Sequence, residues 1–487
     1  MTDGVPLSMA LEPGLYRVEW SIPGMDGRLQ ILSGDLTLEA DTQPIAEVYG
    51  DVPCLWESVE EGIDERKASF PQFVEHRDLR GRLLNGLNVI LLDARLQIVD
   101  PERAVINARA ALIGRQEHQD DEPLISRLEM QFEHLDAVSG VTPIKSVTLP
   151  NVSAQLNKGL SFGAETNPGS NLEWTDHTAK VEFRYVTSST SADGYFFRVA
   201  FSPLIVVSFK QAISFDSALS GWLEPMRRLI SLATRKQAAT TYLAVGLEGD
   251  ENRSIWGSHQ VYGSALTQAP FASRDSVVRK ARQSFTFSED GHGVLALIRR
   301  WQELQAEHHP LLETYGSMMF APIQHPRSTY LLLIQAIEGL HGYEDQDAYA
   351  ERLHKHKETL KCVLSALKET PLSKDHFKFI KNCISNRPPE NLDKRLKAVA
   401  AGAPIDFAPK LARTALVQSV IDQPDGPTDW AGALRVIRND LAHGNRGFDP
   451  RELLDVVRLL DGIVRAQFLR VLGCAPEAQK KTQSGER

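Results

Sequence analysis

Two patterns of apolar and polar positions divide this chain. Up to about residue 215, "GLYRVEWSI", "GDLTLEA", "AKVEFRYV" and "GYFFRVAFSPLIVVSF" alternate or cluster β-branched and aromatic side chains between Gly, Pro, Asn and Asp. That is the pattern of short strands joined by turns, and many such strands predict an antiparallel, sandwich-like domain. "SGWLEPMRRLISLATRKQ" then sets Leu223, Met226, Leu229, Ile230 and Ala233 at helical spacing, so a helix is expected. "TTYLAVGLE" reads as a strand, and the chain from there to about Phe287 reads as loop. "SRLEMQFEHLDAVSG", earlier in the chain, reads as strand-like throughout.

From Gly293 the period becomes helical. "VLALIRRWQELQAEH" is amphipathic, and "PRSTYLLLIQAIEGLHG" is apolar on most sides, with Pro326 suited to a first turn, so it is expected to be a buried helix. Helices are expected over 351–369, 373–385, 391–400 and 408–421. "DWAGALRVIRNDLAH" carries Trp430, Leu434, Ile437 and Leu441 in one stripe. The last helix opens with Asp449 as N-cap, Pro450 at the first position and Glu452 closing a capping box. Its core face runs through Val457, Leu460, Val464 and Leu472, and Gly473 ends it. The expected fold is α+β multidomain. A β-rich, sandwich-like domain with a following helix spans 1–290, a connecting helix 291–317, an all-α bundle 318–475 and a disordered tail 476–487.

Composition narrows the function classes. In 487 residues, 42% are apolar and 24% charged, the balance of an ordinary soluble protein. No apolar run is long enough to span a bilayer, and the N-terminus has no basic start followed by an apolar stretch, so neither membrane nor export is expected. Cys54, Cys362, Cys383 and Cys474 are scattered without C-x-x-C spacing, which points to a reducing cytoplasm and away from a disulfide framework. No P-loop or Rossmann fingerprint occurs, and neither "HKH" at 354–356 nor "HH" at 308–309 has carboxylates at ligand spacing, so no cofactor and no metal are expected. Net charge is −9, yet 351–397 holds twelve Lys/Arg against six Asp/Glu. A basic sector on an acidic chain can attract phosphate, although solvated helix faces also read this way.

The candidate chemistry lies in "RVIRNDLAHGNRG". Arg, then four to six residues, then His occurs three times, as Arg127–His134, Arg253–His259 and Arg438–His443, but only the last pair closes a well-formed helix. A histidine can move a proton near neutral pH, and a guanidinium matches phosphate oxygens. Five residues of helix turn through about 140°, so the two side chains face different ways, and Asn439 is the residue on the face of His443. Either the helix unwinds at His443 or a second subunit completes the site. On these residues alone, a surface arginine and a capping histidine is the simpler reading.

"IRNDLAHG" resembles the R-N-x-x-x-H motif of HEPN domains, and "YLLLIQAIEGLHGY" resembles the first HEPN helix of ApeA-like abortive-infection proteins, where an acidic residue matches Glu338. "MQFEHLDAVSG" and "LEPMRRLISLATRKQ" are similar to two segments of that family's β-rich N-terminal domain, and the likeness covers nearly the whole chain. It implies a metal-independent ribonuclease, with tRNA as substrate, that leaves 2′,3′-cyclic phosphate ends. By the match, Arg438 stabilises the phosphate, His443 is general acid or base, Asn439 orients them and Glu338 supports them. A structural hydrogen bond is the other reading of Glu338. The resemblance also implies a homo-oligomer through the HEPN domain, and an N-terminal domain that senses a phage-derived trigger or restrains the nuclease. Lys355, Lys357 and Lys361, in the basic segment, are candidates for holding RNA. The alternative function is a non-catalytic HEPN module that binds nucleotide or RNA, or an antitoxin-like interaction protein.

Overall fold

The computed structural model describes residues 5–24, 28–55, 57–58, 66–116, 123–149, 163–190, 197–249, 258–288, 293–321, 324–388 and 391–483. Arg253, the start of "GYFFRVAF" and the last four residues of the expected tail lie outside them. The chain forms two compact units, Met1–Ile298 and Arg299–Arg487.

In the first unit the apolar stretches become strands, most of them burying one face and some buried throughout. They are β1 (Gly14–Pro23), β2 (Leu29–Leu38), β3 (Ile45–Tyr49), β4 (Gln72–Leu83), β5 (Asn88–Asp100), β6 (Arg103–Asn107) and β7 (Ala110–Gly114). There follow β8 (Ile125–Phe132), β9 (Leu172–Thr175), β10 (Ala179–Thr190), β11 (Arg198–Ile213), β12 (Thr240–Leu247) and β13 (His259–Gly263). All thirteen join one sheet in the order β9-β10-β11-β8-β12-β13-β7-β5-β4-β1-β2-β3-β6.

The expected β-rich, sandwich-like domain is built on this thirteen-stranded sheet, with two small two-stranded sheets beside it among the described residues, and part of the large sheet closes on itself. β5 is long enough to take two partners on one edge: its 95–100 part pairs with β6, and its 88–92 part pairs with β7. Pairing with β6 closes a barrel through β3, β2, β1 and β4, while β7 leads outward to β13. The fork falls where Asp93 takes a positive φ of 49° and forms an ion pair with Arg109 at 3.2 Å. Inside the barrel, Trp20 is fully buried with Val18, Leu36 and Val48. A Cβ on Gly34 or Gly81 would come within 2.8 or 2.6 Å of the indole, so glycine on both neighbouring strands makes room for that ring.

The chain expected as loop up to Phe287 contains β13, all of it buried. Its polar Gln260 hides the strand pattern, because the side chain serves other backbone: Oε1 accepts from the amide of Ala10 at 2.7 Å, and Nε2 donates to Leu11 O. "LDAVSG" is not strand but a short helix, entered by His134 at a positive φ. Helix α1 (Glu224–Thr234) has the expected buried face, preceded by a π turn and ended by Arg235 in the left-handed region.

The connecting helix expected over 291–317 is two helices, α2 (Val294–Ala306) and α3 (Pro310–Met318). His308 at φ 51° breaks them, and the His309 side chain caps α3. The rest of this half is α4 (Pro326–Glu344), α5 (Gln346–Glu369), α6 (Lys374–Cys383), α7 (Leu392–Ala401), α8 (Ala408–Ala412), α9 (Ala415–Ile421), α10 (Trp430–His443), α11 (Pro450–Val471) and α12 (Pro476–Lys480). The stretch 408–421 is thus two helices, since Thr414 is extended between them. Where a disordered tail was expected, α12 buries Ala478 and Gln479, and Thr482 follows, buried too.

Helices α4 and α11 pack along each other. Tyr330, Leu333, Ile337 and Leu340 face the core from α4, and Val456, Leu460, Ile463 and Val464 face it from α11. Contrary to the expectation of a fully buried helix, α4 leaves Leu331 and Leu332 half-buried. The capping bond of α11 runs from Arg451 N to Asp449 at 2.7 Å rather than from Glu452 N.

Candidate nucleic-acid site in the helical unit

Helix α10 is defined at both ends by its sequence. Asp429 accepts from Gly432 N at 3.0 Å and pairs with Lys397, and that lysine holds its carboxyl below the ordinary value. At the other end Gly444 turns into the left-handed region at φ 71°, and its amide and that of Asn445 return to Asp440 O. Nothing lies near where a Gly444 Cβ would be, so backbone conformation alone calls for glycine there.

The helix stays regular to His443, so it does not unwind to bring His443 round to Arg438. Buried Leu434, Ile437 and Leu441 point the helix into the core, which leaves Arg435, Arg438 and Asn439 on its flank. Tyr330 of α4, wholly buried, donates its hydroxyl to Leu434 O at 2.7 Å and fixes α4 against α10. The Arg438 guanidinium lies 3.8 Å from the Glu338 carboxylate of α4 and donates to Asn439 Oδ1 at 3.2 Å. At 3.8 Å and partly exposed, the ion pair orients Arg438 but adds little stability.

These three residues share an open pocket of about 700 Å³ with residues of α7. There Asn391 caps the helix, Asp393 takes Arg435 Nε at 2.9 Å, and Lys394 and Arg395 add two more cations. Among the described residues, the pocket is lined by four cationic side chains and two carboxylates. His443 is outside it: the side chain is exposed at the helix end, with no hydrogen bond or ion pair among the described residues. Arg327, from the first turn of α4, donates to Leu441 O beside it. Sequence reasoning missed Arg435, Lys394, Arg395 and Arg327. The i, i+3, i+4 spacing of Arg435, Arg438 and Asn439 could have shown the first; the others come from segments far off in sequence.

The tentative RNA-holding lysines divide. Neither α5 nor α6 buries a residue. Between them, Lys357 and Lys361 line a groove with Lys368 and Lys381 over a floor of Leu360, Leu364 and Phe377, whereas Lys355 is exposed and does not line it. The histidine pairs have local roles: His309 caps α3, and the His356 ring lies 2.9 Å from Ser385 O. Arg127, from the first alternative pair, sits 2.8 Å from buried Glu129 in the sheet.

With this geometry in view, comparison with known families is decisive. The family described as ApeA N-terminal domain 1 matches residues 16–294, more than half of the chain. The chain belongs to the ApeA family. In this ApeA-like protein, residues 331–478 match the family described as Apea-like HEPN, so α4 to α12 fall within a HEPN domain apart from the first five residues of α4 and the last two of α12. HEPN domains of this kind are nuclease-like, commonly bind RNA and oligomerise, and the ApeA type is tied to abortive infection. No curated protein and no solved structure matches the ApeA-like chain. Among the described residues, no helix is long and apolar enough to cross a membrane.

Proposed function

We propose that the helical unit is a metal-independent endoribonuclease of phage defence, acting on RNA of the tRNA class. The observation that carries this reading is Arg438, held by Glu338 and Asn439 in a cationic pocket, on the same helix whose free end presents an exposed histidine. The Arg438 guanidinium takes the non-bridging oxygens of the scissile phosphate. The 2′-hydroxyl oxygen attacks phosphorus as its proton leaves, and the bond from phosphorus to the 5′ oxygen breaks as that oxygen gains a proton. His443 carries one of these protons, as imidazole or imidazolium, and solvent carries the other. The products are a 2′,3′-cyclic phosphate and a 5′-hydroxyl, and no step calls for a metal.

Because α10 stays regular to His443, Arg438 and His443 of one chain face apart, and a second copy facing the first supplies the missing partner. Half-buried Leu331 and Leu332 on α4 and exposed Leu454 on α11 are apolar positions open to such contact. The N-terminal unit is assigned to sensing a phage-derived trigger or restraining the nuclease. The deciding experiment incubates purified protein with total tRNA in EDTA and maps the ends. Cyclic phosphates that vanish with His443→Ala support the reading. Tight RNA binding without any His443-dependent cut would instead favour a non-catalytic binding module.

A further inference from the structure

Helices α5 and α6 bury no residue, yet they frame a groove of about 660 Å³, within the range of small-molecule sites, roughly 300–1,000 Å³. Four lysines line it. Lys357, Lys361 and Lys368 stand on one stripe of α5, within about 40° of one another, and Lys381 comes from α6. Among the described residues none of the four forms an ion pair or a hydrogen bond, and no carboxylate lines the groove. Glu358, next to Lys357 in the chain, is turned to His354 at 3.8 Å. Like charges gathered in one concavity without a counter-charge repel each other, so the groove attracts an anion.

The floor indicates which anion. Leu360, Leu364 and Phe377 are half-buried beneath exposed lysines. A small inorganic anion gains nothing from such a floor. An amphipathic helix that meets lipid pushes its apolar face into the bilayer, whereas here the apolar side chains are recessed below the charges. The cations of α5 run in a line, with steps of about 6 and 10.5 Å between Lys357, Lys361 and Lys368. A line of charge over an apolar, partly aromatic floor suits single-stranded nucleic acid, whose bases are free to turn out and stack on a side chain. A duplex keeps its bases stacked on each other and offers the floor nothing. We infer that the α5–α6 groove seats one unpaired nucleotide, its base packed on Phe377 and the two leucines and its neighbouring phosphates held by the lysines. Ser365 and Asn386, also at the groove, offer a hydroxyl and an amide to the base edge. Arg438 and His443 line no part of it, so the seat selects unpaired RNA without taking part in the cut. That consequence rests on the ribonuclease reading, but the seat itself is a matter of binding.

The test couples ring and base. Fluorescence anisotropy in EDTA, on the full-length His443→Ala protein, compares three ligands: a short labelled oligouridylate, its duplex with oligoadenylate, and an abasic strand of the same length. Adding Phe377→Leu should weaken binding of the single strand about tenfold, the loss of one base stack, and leave the duplex and the abasic strand unchanged. Phe377→Tyr, which keeps the ring, should bind like the parent. If Phe377→Leu holds the single strand as tightly as the parent, if it loses as much on the abasic strand, or if Phe377→Tyr loses as much as Phe377→Leu, no base is stacked there and the inference falls. Lys357→Gln/Lys361→Gln/Lys368→Gln should weaken binding of the abasic strand as well as the single strand. Polyglutamate or phosphatidylserine vesicles that displace the single strand at equal charge would make the groove an acidic-peptide or lipid site instead. Cleavage by the wild type is scored separately. Ring-dependent binding without any cleavage would keep the seat and sink the ribonuclease reading, and cleavage whose KM is indifferent to Phe377→Leu would do the reverse.

Discussion

Arg438 and His443 share a helix yet have opposite surroundings: one is braced by a carboxylate and an amide, the other is bare. Both should be dispensable for folding, since each is at least partly exposed. Arg438→Ala and His443→Ala should each lower tRNA cleavage at least about a hundredfold while thermal midpoints stay near the wild type. Wild-type rates in either variant, measured in EDTA, would remove that residue from the chemistry. Glu338→Gln should separate two effects. Removing a negative charge from the pocket should tighten RNA binding, while a less oriented guanidinium should slow cleavage about fivefold, near 1 kcal/mol. A faster cut would mean that Glu338 restrains Arg438. The sequence motif itself named Arg438, Asn439 and His443, and the likeness of the α4 helix named Glu338. That Lys394 and Arg395 share the pocket could not be read, because nothing local ties α7 to a helix that begins some thirty residues later.

Among the elements, long amphipathic helices and alternating strands were legible, because burial of one face leaves a period in the chain. What escaped were elements whose polar residues are satisfied inside. β13 carries His259 and Gln260 in a buried strand, and the break between α2 and α3 depends on a histidine cap. That cap gives a pH dependence. His309 is almost fully buried, its Nδ1 accepts from Leu311 N, and burial pushes its pKa below the ordinary imidazole value. The folded chain therefore binds this proton less tightly than the unfolded chain. Its contribution to stability is whole above the ordinary imidazole range, about 6.5, and is lost as pH falls through that range. His309→Asn keeps a capping acceptor without the titration, so its thermal midpoint should fall less than that of the wild type between pH 7.5 and 5.5. Equal falls would count against this origin. For the α5–α6 pair, replacing Lys357, Lys361 and Lys381 by Gln should flatten the log–log salt dependence of RNA binding by about 0.7 per lost phosphate contact. Lys355→Gln should have the smaller effect, because Lys355 does not line the groove. An unchanged slope would leave these lysines as a solvated face.

At the scale of the whole molecule, the facing-apart geometry of one helix makes a specific demand on assembly. If Arg438 and His443 act across two copies, Arg438→Ala and His443→Ala proteins, each inactive, should regain roughly a quarter of wild-type activity when mixed and allowed to exchange. No recovery despite demonstrated exchange would show that both residues act within one chain. In the first unit, the main sheet both closes into a barrel and runs outward because β5 is long enough for two partners on one edge, a fact invisible in any one strand's own alternation. This also makes β5 a shared hinge pin. A two-residue slip of β5 would unseat the barrel and the outer sheet together, so neither can loosen while the other stays in register. Amide protons on both arms of the fork, in β6 and in β7, should therefore exchange with solvent in one cooperative opening, and a cut made anywhere in β5 should release both halves at once.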